Sequence, residues 1–183
     1  IPLGVCLVEA SNGLNFMPSN TDLLVPENDE PLLIMDMGGV IRNRPNPFKL
    51  PTNPDKNYID FGLIWGEDII DLIMSDRGRV ILPLRNLQGL RELDAALAYA
   101  EDITIGIDWS NVVEAQHSDF SIDIVDLLKK LHRRGQTDIL IYSLTGECPY
   151  IPAGMNANFD VKIAYLSEFK QIPNWEKGVF VFE

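Results

Sequence analysis

From residue 79 to residue 143 the chain alternates short apolar runs with longer amphipathic stretches, and this order limits its fold more than any other feature. The runs 79–84 (RVILPL), 103–108 (ITIGID) and 138–143 (DILIYS) are short and rich in β-branched residues, so they read as strands, with Pro83 marking the end of the first. Between them, 86–101 places Leu90, Leu93, Leu97 and Ala100 at spacings of three and four, with Asn86 available as N-cap, and predicts a helix. The clearest helix is 120–134. Ile124, Val125, Leu127, Leu128 and Leu131 form its stripe, Ser118 or Asp119 can cap it, and Gly135 ends it. Lys129, Lys130, Arg133 and Arg134 suit the negative end of its dipole. This alternation predicts an α/β fold, Rossmann-like, with a mostly parallel sheet and helices on its faces.

The flanking segments extend that plan. Residues 31–41 (PLLIMDMGGVI) begin as a continuous apolar run, as a strand buried on both faces does, and stop at Gly38 and Gly39 in a functional loop. A short helix over 67–75 and further strands over 160–166 and 178–182 complete the prediction. Pro45, Pro47, Pro51 and Pro54 make 42–60 a long proline-rich excursion without regular helix, of the kind used as a lid or a partner contact. Residues 1–30 read as an irregular N-terminal arm with one strand at 5–9, leaving 31–183 as a single α/β domain.

Charge narrows the partners. Lys and Arg number 15 against 27 Asp and Glu, a net charge of -12, which disfavours a nucleic acid held through phosphates and favours cations or basic proteins. No apolar run reaches the length of a spanning helix, so a soluble chain without a membrane partner is expected. Cys6 and Cys148 are expected as free thiols, one bridge being the alternative. The chain opens on Ile1, which fits processing from a precursor or a fragment.

In open parallel sheets ligands bind beyond the carboxyl ends of the strands, which directs attention to Asp36, Asp108 and Ser143. Two such carboxylates brought together bind Mg²⁺, or one acts as a nucleophile while the other holds the metal. The plainer reading is that each Asp caps the turn that follows its strand.

Residues 34–43 (IMDMGGVIRN) resemble the first motif of haloacid dehalogenase-like hydrolases, in which an apolar strand delivers a nucleophilic Asp into a tight turn. Residues 105–113 (IGIDWSNVV) are similar to the same motif, and 139–146 (ILIYSLTG) resemble the second motif of that family, which ends in Ser or Thr. The resemblance implies Asp36 or Asp108 as nucleophile, Ser143 as phosphate-oxygen donor and Lys162 or Lys170 as the neutralising cation. It also implies Mg²⁺ held by these Asp residues with Glu183 as the late acidic ligand, in a member with little or no cap domain. The chain departs from the family at Gly38 and Ser110, where a second Asp serves as general acid and base.

Other groups carry less. His117 and His132 lack partners at metal-ligand spacing and read as solvated, and Cys148 with His117 lacks a protease signature. Arg42, Arg44, Lys49 and Lys56 place positive charge in the proline-rich excursion, which then clamps an anion, docks an acidic neighbour or is simply solvated. Trp65, Trp109 and Trp175 read as partly buried core, with interface anchors as the alternative.

Two functions follow from these residues. The first is a non-enzymatic acidic interaction domain, inhibitor-like or an assembly subunit, with a protein partner of basic character and no required cofactor. The second is a Mg²⁺-dependent phosphohydrolase of the haloacid dehalogenase type, its catalysis weakened by Gly38 and Ser110.

Overall fold

The mostly parallel sheet expected from the alternating pattern is present. A computed structural model describes residues 4–9, 15–16, 32–47, 50, 55–166, 171–174 and 179–182. Its first half contains β1 (Gly4–Glu9), β2 (Asn15–Phe16), β3 (Leu32–Asp36), α1 (Met37–Arg42) and β4 (Asn57–Asp60). A 3-10 turn at Gly66–Asp68 then leads into α2 (Ile69–Met74), β5 (Arg79–Pro83), α3 (Leu90–Tyr99), β6 (Thr104–Trp109) and β7 (Val113–Glu114). After these come α4 (Ile124–His132), β8 (Asp138–Ser143), α5 (Ala153–Asn156) and β9 (Asp160–Tyr165), followed by a separate antiparallel pair, β10 (Gln171–Asn174) and β11 (Val179–Phe182).

The parallel strands neighbour one another in chain order, β1-β3-β4-β5-β6-β8-β9, with β2 and β7 antiparallel beside β1 and β6. No connection reverses this order, so the strand carboxyl ends line one rim rather than a crevice between two halves. The sheet is also curled. Tyr142 of β8 donates from its hydroxyl to Asp60 of β4 at 2.6 Å, although β5 and β6 lie between them. On a flat sheet with strands about 4.8 Å apart those side chains would stand side by side and never meet. The outer strands β1 and β9 likewise approach each other.

Alternation along each strand divides the interior in two. Ile34, Ile59, Val80, Leu82, Ile105, Ile107, Ile139 and Ile141 face α2, α3 and α4, whose Leu72, Leu93 and Leu128 share that core. The opposite set, Leu33, Met35, Ile81, Leu140, Tyr142 and Ala164, fills the concave side together with Val40 of α1. Gly106 makes this inner packing possible, since a Cβ there would lie 2.9 Å from both Ile81 and Tyr142.

Several boundaries differ from the sequence expectation for identifiable reasons. The run after β3 is the short helix α1 rather than a loop, because Asp36 caps it by accepting from Gly38 N at 3.0 Å. The excursion 42–60 ends in a strand, β4, paired on both sides. Helix α3 starts at Leu90, not Asn86. Asn86 and Leu87 turn inward and are buried, Gly89 sits at φ +99, and the amide of Leu90 is capped from a distance by Asp119 at 3.0 Å. Helix α4 starts at Ile124 because Asp123, rather than Ser118 or Asp119, accepts from the amides of Val125 and Asp126. Among the described residues no helix is long and apolar enough to cross a membrane.

Candidate functional site

The strand-end rim is built from residues that close β3, β4, β6 and β8, with Arg85 two positions past β5. Asp36 is fully buried; one carboxylate oxygen accepts from Gly38 N and the other from Asn46 N, both at 3.0 Å. This second bond ties the proline-rich segment back over the end of β3. Asp36 therefore acts as a helix cap and loop anchor.

Beside it lies a buried charge network. Arg85 Nε donates to both oxygens of Asp108 at 3.0 and 3.1 Å, while Arg85 Nη1 donates to Asp60 Oδ2 at 2.6 Å. Asp60 also receives the Tyr142 hydroxyl and, on its other oxygen, the amide of Gly62 at 2.8 Å. The guanidinium lies over the Tyr142 ring, 4.6 Å from its centre. Arg85 and Asp60 have no exposed side-chain surface, and Asp108 is 1% exposed.

One guanidinium thus serves two carboxylates in a medium that penalises every unmatched charge. Burial pushes the Asp108 carboxyl up to about 7 against the pull of Arg85, and the negative charges of Asp60 and Glu114 add to the rise. Burial works against the Arg85 charge as well, yet Asp108 and Asp60 outweigh it and hold the guanidinium well above its ordinary range. Burial, and then Asp60, raise the Tyr142 phenol in the same way.

The structure brings together only part of the sequence-derived set. Asp108 lies on the concave side, with Gly106 and Tyr142, whereas Asp36 and Ser143 follow the helix-facing parity of their strands. Ser143 donates its hydroxyl to the carbonyl of Glu147 at 2.6 Å. Lys162 sits toward the opposite, amino end of the sheet, bonded to Asp138 and Asp160 at 2.7 Å each. Lys170 and Glu183 lie outside the described residues. Among the described residues no group of three His, Cys, Asp or Glu could hold a metal ion. By strand parity Asp36 and Asp108 stand on opposite faces of the sheet, so the two carboxylates do not converge on one Mg²⁺.

The histidines and the cysteine have other roles. His132 is exposed, edge-on to Phe159 at 5.8 Å. His117 is half-buried and faces Asp119 at 3.3 Å, where it helps close the entrance to α3, and Cys148 is an exposed free thiol.

A second surface was not singled out from sequence. Ile69 and Leu72 of α2 face the core, while Ile70 and Ile73 are each 39% exposed and Met74 is 78% exposed, next to Trp65 at 49%. Exposed Trp65 departs from the expected core position. Glu67, Asp68 and Asp71 are exposed around this apolar face. Partial burial, and then the charges of Asp71, Glu67 and Glu92, raise the Asp68 carboxyl. Alongside runs a groove of about 550 Å³, lined by Pro45, Pro47, Phe61, Asp68, Asp71 and Met74.

Sequence reasoning also missed Asp60, Arg85 and Tyr142. For Arg85 and Tyr142 the signal was present, since each lies within two residues of the end of an apolar run, the same criterion that selected Asp108, whereas Asp60 follows only Tyr58 and Ile59 inside the proline-rich excursion. No protein-family model and no curated protein matches this chain.

Proposed function

We propose that this chain is an acidic interaction domain, inhibitor-like or an assembly subunit, which takes a basic and partly apolar protein partner on the outer face of α2. The observation that carries this reading is that α2 is apolar on both sides. A helix of that kind is ordinarily buried all round, yet here Ile70, Ile73 and Met74 are exposed, with exposed carboxylates at Glu67, Asp68 and Asp71 in the same segment. The flanking groove and its two prolines give the proline-rich excursion a part in the same contact. The strand-end groups support the reading from the other direction, since Asp36, Asp108 and Ser143 are all engaged in bonds that hold the fold.

The test is titration with an amphipathic helical peptide of Leu and Lys, followed by Trp fluorescence and calorimetry. Binding is expected for the wild type and lost in Met74→Asp and in Asp68→Lys/Asp71→Lys. Equal binding by all three proteins would overturn the assignment of the face.

One observation favours a second reading, a degenerate phosphohydrolase of the haloacid dehalogenase type. Asp108 is a strand-end carboxyl held at about 7, the range in which proton-transfer groups work. Hydrolysis of an aryl phosphate, assayed with and without added Mg²⁺, that is lost in Asp108→Asn and kept in Asp36→Asn would establish it. No hydrolysis by the wild type would end it.

A further inference from the structure

The described surface offers a counterpart to the α2 face on the same molecule. Between α4 and α5 lies a groove of about 460 Å³ with Leu128, Met155 and Phe159 in its lining and Lys129, His132 and Arg133 along it. Gly154 belongs to the same lining, and a Cβ added there would meet nothing within 4 Å, so the groove is open above it. Of the four cations in 129–134, Lys129 and Arg133 line the groove, Lys129 already paired with Asp126 at 2.9 Å, while Lys130 and Arg134 are bonded to the Asp119 carbonyl and to Asp94. The α2 face differs from it in charge. It exposes Met74, Ile70 and Ile73 together with the carboxylates of Glu67, Asp68 and Asp71, whereas the charged side chains lining the groove are Lys129 and Arg133.

We propose that the α2 face of one copy of this chain docks into the α4–α5 groove of a second copy, with Met74 entering above Gly154 and Asp68 and Asp71 meeting Lys129 and Arg133. This rests on the reading of the α2 face as a binding surface, and it places the basic and apolar character of the partner in one local patch of an otherwise acidic chain. The contact is heterologous: one copy contributes its face and keeps its groove free, its neighbour the reverse, so it propagates into a ring or a filament instead of stopping at a dimer. The overall charge of -12 repels copies at long range, which leaves the matched patches to supply the attraction.

Sedimentation of the full chain tests this directly. The mass of the wild type is expected to rise with concentration beyond a dimer. Met74→Asp spoils the face, and Gly154→Phe fills the groove without touching the face; each should weaken association about tenfold or more. An equimolar mixture of the two variants has one intact face and one intact groove between them, so it should form a 1:1 dimer and nothing larger. A wild type that stays monomeric to millimolar concentration, or a mixture that does not dimerise, overturns the proposal. The Leu and Lys peptide separates this failure from that of the binding-surface reading. Peptide bound by Gly154→Phe but not by Met74→Asp would leave the face a binding surface for another protein, whereas peptide bound by neither would remove both.

Discussion

Arg85 shows how far one side chain governs this interior. It joins Asp108 of β6 to Asp60 of β4 with no exposed surface, so its removal leaves two carboxylates buried without their cation. Arg85→Met is expected to lower stability by about 3–5 kcal/mol in urea unfolding, because breaking a buried pair strands its partners. Asp108 makes a prediction in pH. Its folded carboxyl, held at about 7, binds a proton more tightly than in the unfolded chain, where the ordinary value is 3.8. Its contribution to stability is therefore fully present below about pH 4 and is lost as pH rises through about 7. Asp108→Asn keeps an acceptor for Arg85 and cannot titrate, so the fall in stability between these limits should flatten. An unchanged slope in the variant would place the titration elsewhere.

At the level of elements, the turns decide where helices start, and that is where the sequence was hardest to read. The stripe of α4 and the six residues of β8 were legible because periodicity and strand length are local properties. The cap of α3 was not, since it comes from Asp119, on the connection between β7 and α4, and no spacing near Leu90 announces it. Strand β4 was hidden for a related reason. NYID carries two apolar residues between Asn and Asp, and it becomes a central strand because β3 and β5 pair with it on both sides. Asp123→Ala should cost about 1 kcal/mol in thermal or urea unfolding, by leaving the amides of Val125 and Asp126 without their acceptor. Gly62→Ala should cost more than this cap. Gly62 holds φ +68, and a Cβ there would lie 2.4 Å from the Cα of Val40, so α1 would be displaced from the strand end.

For the whole molecule, the fold class followed from alternation alone, whereas the site did not. Asp36, Asp108 and Ser143 all end strands, but their face depends on parity and on curl, and curl depends on side chains distant in sequence such as Tyr142 and Asp60. The sequential strand order also shapes how the chain reaches this state. Every strand between β3 and β9 pairs with the strand before it in the sheet as soon as that much chain exists, so structure can accrete from one end during synthesis with short loop closures. The approach of β1 to β9 is the exception, because it joins segments more than a hundred residues apart. That seam should be the last part to close and the first to breathe: amide exchange is expected to be faster in β1 and β9 than in β5 and β6, and uniform protection across all four would mean the curl is set before the seam forms.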